Sequence, residues 1–204
     1  MRKSQRTFLS RTELTRKENI MKPKQRFLIV CEGTKTEKNY FEAFPVVSKQ
    51  VVVIGLGQDP LSIVDKAIEE KDKDDDVDQV WCVFDRDSVP SNKFMGAIQK
   101  AESRGIRVAY SNEAFELWYL LHYNYYDCAI SRQEYKKILE SLMKRKYKKC
   151  DPSLYEELLE KQEQAIAHAN RLLKSYGKRH SPDKDNPSTT VYRLVQELNK
   201  YLLK

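Results

Sequence analysis

The chain has no apolar run approaching the roughly 20 residues needed to cross a bilayer. Its first residues are basic but lack the hydrophobic core of a secretory leader, so the expected location is the cytoplasm, with no membrane partner. Only four cysteines occur, none in a Cys-x-x-Cys pair, and Cys31 and Cys82 fall inside apolar runs. Free, reduced thiols are therefore expected, and a zinc site is not. The three histidines have no ligand spacing, and no Ser-His-Asp or Cys-His order is persuasive. There is no Walker A motif, which argues against nucleotide hydrolysis by a P-loop. Nor is there an internal repeat or a long low-complexity segment. The 204 residues suit one domain, with at most an added helical lobe.

What is present is a pair of short apolar runs that each end in acid. The first is Phe27-Leu28-Ile29-Val30-Cys31-Glu32-Gly33, and the second is Val80-Trp81-Cys82-Val83-Phe84-Asp85-Arg86-Asp87. Runs this short, unbroken and rich in β-branched or aromatic residues read as strands buried on both faces, as in a parallel sheet covered by helices. Ligands bind such sheets at the carboxyl ends of the strands, where both acid clusters lie. Glu32, Asp85 and Asp87 meeting there would form an oxygen-ligand site suited to Mg2+ or Mn2+. The two aspartates reach one site only if the chain turns at Arg86, because alternate strand residues point to opposite faces. The opposing reading is that polar residues commonly end strands.

The first run is followed by a helical segment from Thr34 to about Phe44, in which Thr34 and Glu37 fit a capping box. Val51–Ile54 reads as a second strand, with a turn at Gly55 and Gly57 and a helix opening at Pro60. The run Asp74-Asp75-Asp76 lacks the glycine turn and alternating spacing of a calcium loop and reads as a solvated connector. A helix from Pro90 to about Arg104 stops at Gly105, Ile106–Tyr110 makes a fourth strand, and a helix carrying Phe115, Leu117, Trp118 and Leu121 follows. This alternation predicts an α/β fold with a sheet of about four mainly parallel strands flanked by helices. Beyond it, residues 131–146, 153–176 and 188–203 read as helices. The predicted organisation is a flexible basic arm over 1–25, an α/β domain over 26–125 and a helical lobe over 126–204.

The net charge of +7 is unevenly placed. Residues 1–26 hold nine Lys or Arg against two Glu, and the rest of the chain balances to zero. The arm is either a phosphate-binding tail or a solvated terminus. A second basic surplus lies at 132–149, including Lys144, Arg145 and Lys146, with Tyr135 and Tyr147 interleaved. It reads as a nucleic-acid contact or as a solvated helix face. Glu113 and Glu116 are one helical turn apart at the end of the fourth strand. Glu116 is a candidate further metal ligand or orienting group, whereas Glu113 also fits an early-helix residue favoured by the helix dipole. Lys35 sits where a helix start would bind phosphate, unless it is simply exposed. Arg86 is a phosphate clamp or a surface ion pair. His122 and His168 read as structural, and His180, in the basic turn Gly177–Pro182, is a candidate phosphate contact.

Glu32-Gly33 followed by Asp85-x-Asp87 resembles the Toprim domain of primases, topoisomerases and OLD-type nucleases. The resemblance extends to the RloB-like family, related to the AbiLii phage abortive-infection proteins. It is carried by the basic start, Cys31–Phe41, Phe84–Asp87, Ser111–Trp118 and Asn186–Val191. It implies a Toprim-type nuclease in phage defence that uses Mg2+ or Mn2+, with Glu32, Asp85 and Asp87 as ligands and Glu32 also as general acid or base. It further implies an AAA-type ATPase partner and a nucleic-acid substrate, RNA or DNA. The rival expectation is a catalytically silent module that binds nucleic acid or nucleotide and signals to that ATPase. Oligomeric state is not legible.

Overall fold

The computed structural model describes residues 25–53 and 59–203. Most of the basic arm and the turn expected at Gly55 and Gly57 lie outside the described residues. In chain order the elements are β1 (Phe27–Cys31), α1 (Thr36–Glu42), β2 (Lys49–Val53), α2 (Pro60–Lys71), β3 (Gln79–Asp85), α3 (Ser91–Ser103), β4 (Arg107–Asn112) and α4 (Glu116–Leu121). They are followed by α5 (Arg132–Met143), α6 (Leu154–Leu159), α7 (Gln162–Tyr176), a 3-10 turn at Gly177–Arg179, β5 (Ser188–Thr189) and α8 (Val191–Asn199). Among the described residues no helix is long and apolar enough to cross a membrane.

The strands form one mainly parallel sheet in the order β2-β1-β3-β4-β5, with β5 alone antiparallel. β1 and β3 are buried along their whole length, as expected of strands covered on both faces. Their side chains divide by parity. Leu28, Val30, Val80, Cys82 and Phe84 pack with Ile63, Val64 and Ala67 of α2 and with Phe94, Ala97, Ile98 and Ala101 of α3. Ile29, Cys31, Trp81 and Val83 face the other way, onto Tyr40 and Phe41 of α1, the apolar side chains of α4, and residues of α7 and α8. This is the two-residue period of a strand read out as two cores. Asp85 continues the odd-numbered series, so its position in the sequence already assigns it to the face that carries α1 and α4.

The order β2-β1-β3 makes β1 and β3 neighbours whose following connections run to opposite sides. A crevice opens at such a switch point, just beyond the strands' carboxyl ends. It is where Glu32 and Asp85 lie.

Three sequence expectations change in detail. The single helix expected over 153–176 is two, α6 and α7, with Lys161 at φ −102°, ψ 2° between them. The helix expected over 188–203 begins only at Val191, because Ser188 and Thr189 pair with β4. Here the backbone groups left open on the edge of β4 decide the outcome. The Tyr110 N–H donates to Thr190 Oγ1 (3.0 Å), the Thr190 N–H donates to the Tyr110 carbonyl (2.9 Å), and the Thr190 hydroxyl donates to the Val108 carbonyl (3.2 Å). Finally, α1 starts at Thr36 with Lys35 at its cap and no side-chain capping bond, so the box expected from Thr34 and Glu37 does not form. Segment 126–204 supplies α5–α8 and β5, and its α7 and α8 share one apolar cluster with the sheet.

Candidate metal and active site

Four carboxylates from four elements line one cavity of about 200 Å³: Glu32 after β1, Glu37 of α1, Asp85 at the end of β3 and Glu116 at the start of α4. Gly33, Thr34, Lys35, Thr36, Arg132 and Lys149 complete its wall. Glu37, Asp85 and Glu116 are almost wholly buried, with exposures of 6%, 6% and 5%. Glu32 is half-buried. Asp85 Oδ1 has no hydrogen-bond partner, an arrangement that costs free energy unless something else meets it.

Burial and mutual repulsion disfavour the charged forms of three of these carboxyls. Burial first, then the carboxylates of Glu37, Glu116 and Glu32, hold the Asp85 pKa well above the usual carboxylate range. Glu37 is pushed up to about 7, again mainly by burial, with Glu116 and Glu32 adding to the shift. Glu32 is raised by burial and by Asp87, while the Asp85 backbone and Arg132 work against the rise. Two interactions hold Glu116 in place: the Tyr147 hydroxyl donates to its Oε1 (3.2 Å), and Lys149 Nζ lies 3.4 Å from the same atom.

Glu37 is the member of this set that sequence reasoning missed. Its spacing from Thr34 suggested a cap, but its carboxylate instead lies over Gly33. A Cβ built on Gly33 would fall 1.8 Å from Glu37 Oε2. The close approach that glycine permits here is therefore to a side chain of the same protein. Arg132 and Lys149 were legible only as part of a basic stretch.

The other expected site residues divide. Lys35 is exposed and lines the cavity. Asp87 does not line it, contrary to the expectation that it converges with Glu32 and Asp85. The chain does turn beyond β3, with Asp87 at φ 34°, and its N–H donates to the Glu113 carbonyl (3.0 Å). The turn delivers its carboxylate to the guanidinium of Arg132. Glu113 is likewise absent from the cavity wall. Arg86 donates to the carbonyls of Asp87 (3.1 Å) and Val89 in its own loop and of Asp183 (3.2 Å) in the segment before β5, so the expected phosphate clamp is engaged with backbone. Arg145 is held between Asp151 and Glu157, at 2.5 Å from each. Lys144, at the left-handed end of α5, and Lys146 are exposed and outside the cavity. His180 bonds to Asp185 (2.7 Å) and the Tyr110 hydroxyl (2.5 Å), and it faces a different cavity lined also by Arg107 and Arg193.

The donor set fits a divalent cation in its chemistry: hard carboxylate oxygens, one of them without a partner, in a space that disfavours the ionisation of Asp85, Glu37 and Glu32. It is not a preassembled cage. Among the described residues no group of three or more His, Cys, Asp or Glu side chains is gathered closely enough to hold a metal ion. Comparison with curated proteins and with solved structures finds no match to either. A family model described as RloB-like protein matches residues 27–198, which takes in the described strands and helices except the last residue of α8, and all four cavity carboxylates. The chain belongs to the RloB-like family.

Proposed function

We propose that the chain is a divalent-metal-dependent phosphodiesterase acting on nucleic acid, with the carboxylate cavity beyond β1 and β3 as its active site. The observation that carries the reading is the buried carboxylate set, with Asp85 Oδ1 unpartnered among it. Asp85, Glu37, Glu116 and Glu32 would hold Mg2+ or Mn2+. A bound metal of this kind supplies charge neutralisation at a phosphoryl oxygen and acidifies a water.

The protein's own residues have separable tasks. Asp85 and Glu37, buried and destabilised as anions, are the carboxylates that gain most from a cation beside them. Glu32 is the least buried of the four, and its raised pKa suits proton exchange with a leaving oxygen at the cavity mouth. Lys35 and Arg132 place positive charge at the same wall, where a phosphate would otherwise meet only carboxylates. Tyr147 and Lys149 fix the orientation of Glu116. The Toprim assignment rests on Glu32-Gly33 after β1 and Asp85-x-Asp87 after β3. The role in phage defence, the AAA-type ATPase partner and a cytoplasmic site of action rest on likeness to the family.

A second reading, a catalytically silent module that binds nucleic acid or nucleotide and signals to the ATPase, is favoured by the pairing of Asp87 with Arg132 rather than with the cavity. One experiment separates them. Single- and double-stranded DNA and structured RNA are incubated with Mg2+ or Mn2+, with and without the proposed AAA-type ATPase partner, using wild type, Glu32→Gln and Asp85→Asn. The nuclease reading expects metal-dependent cleavage that falls at least about 10²-fold in folded variants. Wild-type inactivity across the panel with no calorimetric metal binding supports the silent module, and equal cleavage by all three proteins places the activity elsewhere.

A further inference from the structure

The carboxylate cavity does not stand alone. A cleft of about 500 Å³ is lined by Glu116, Arg132, Gln133, Lys136, Tyr147 and Lys149. Glu116, Arg132 and Lys149 also line the carboxylate cavity, so the two spaces share a wall. Across that wall the sign of the charge reverses. The carboxylate cavity sets four acids against Lys35, Arg132 and Lys149. The cleft sets Arg132, Lys136 and Lys149 against Glu116 alone.

We infer that Arg132, Lys136 and Lys149 form a track for the phosphodiester backbone next to the reacting phosphate, so that a nucleic-acid strand runs from the carboxylate cavity into this cleft. The inference deepens the proposed function by assigning the path of the substrate. A lone phosphate group would need only the carboxylate cavity and its bound cation. A polymer brings further phosphates, each of which gains from a nearby Lys or Arg.

The geometry suits a track more than a single anion nest. Arg132 and Lys136 are four residues apart on α5, hence neighbours on one helix face. The start of that helix is fixed: the Glu134 carboxylate accepts from the Ser131 N–H (3.0 Å) and the Ser131 hydroxyl (2.5 Å). Lys149 comes from the chain beyond α5 and lies 3.4 Å from Glu116 Oε1. All three cationic side chains stay substantially exposed, at 43%, 64% and 51%. Lys136 lies 4.0 Å from Glu140, an exposed pair of little worth. Its charge is thus available to a polyanion. Lys144 and Lys146, the more conspicuous basic residues in the sequence, line neither space.

The test is the salt dependence of binding, read by fluorescence anisotropy with labelled 20-nucleotide single-stranded RNA and DNA in EDTA, so that no cleavage intervenes. Each lost phosphate contact on a single strand lowers the slope of log K against log salt by about 0.7. The full-length Lys136→Gln/Lys149→Gln variant is expected to lose about 1.4 from that slope, and Lys136→Gln alone about 0.7, since each removes one such contact per lysine. Lys144→Gln/Lys146→Gln is expected to keep the wild-type slope. Because Lys149 also touches Glu116, the single Lys136 variant guards against an indirect effect on the carboxylate cavity. Unchanged slopes in the folded Lys136 variants, or a larger loss from the Lys144/Lys146 pair, would overturn the track. A reduced slope in a protein that never cleaves leaves the track standing and removes the nuclease reading. Metal-dependent cleavage with unchanged slopes does the reverse.

Discussion

Replacing Glu37 with glutamine should stabilise the metal-free protein at pH 8 and do far less at pH 5. Glu37 is buried beside Asp85 and Glu116, and its pKa rises from 4.5 to about 7. A carboxyl whose folded pKa exceeds its unfolded value holds its proton more tightly when folded. Its favourable contribution is complete below about pH 4.5 and is lost as pH rises through about 7. Between pH 5 and pH 8 that loss amounts to about 2–3 kcal/mol, at about 1.4 kcal/mol per pKa unit. Glutamine keeps the shape without the ionisation, so the gap between variant and wild type should widen by that amount. With a urea slope of about 2–3 kcal/mol/M, the midpoints would separate by about 1 M. His122 titrates in the opposite sense. Burial depresses its pKa to about 4, so its contribution is present above about pH 6.5 and lost as pH falls through about 4. It is common to both proteins and cancels in the comparison. The assay is equilibrium urea unfolding followed by far-UV circular dichroism at both pH values. A gap that fails to widen with pH, or that reverses, refutes the claim that burial beside Glu116 and Glu32 raises the Glu37 pKa in the folded protein. Adding Mg2+ at pH 8 should narrow the gap, because binding to the native state stabilises the wild type.

Gly33→Ala must displace the Glu37 carboxylate, since the new Cβ would lie 1.8 Å from Glu37 Oε2. It should weaken Mn2+ affinity measured by calorimetry while leaving the helical circular dichroism intact. Arg132→Gln releases Asp87, so Mn2+ binding should tighten while single-stranded nucleic acid binds more weakly; movement of both affinities in the same direction would contradict the dual placement of Arg132. Thr190→Val removes the hydroxyl that meets Tyr110 N–H and the Val108 carbonyl and should destabilise by about 1–3 kcal/mol in urea unfolding.

The central strands were legible because burial on both faces leaves an unbroken apolar run, and because an acid ends each run where the apolar packing stops. Asp85 followed from parity and strand polarity together. β5 was not legible: two residues carry no period, and Ser188 and Thr189 take their conformation from the edge of β4. The division between α6 and α7 has no proline or glycine to announce it. Among the site residues, Glu37 was hidden because a Thr-x-x-Glu spacing serves equally as a cap, and only the packing over Gly33 decides between the two. The pairing of Asp87 with Arg132 links positions 45 residues apart, a tertiary contact with no local signal. Lys144, Arg145 and Lys146 stood out by density of charge, yet the cations beside the carboxylates are Lys35, Arg132 and Lys149, spread through the chain.

The most direct test of the central claim is a calorimetric titration of Mn2+ into metal-free wild type and Asp85→Asn at pH 7.5, repeated in buffers of different ionisation enthalpy. Burial and the neighbouring carboxylates raise the pKa values of Asp85, Glu37 and Glu32, that of Glu37 to about 7, so it is partly protonated near this pH, and a cation that favours the ionised carboxylates displaces protons. The account predicts saturable binding to wild type accompanied by proton release, and loss of both in the folded variant. No saturable binding by wild type, or the same affinity and proton release in Asp85→Asn, would contradict it.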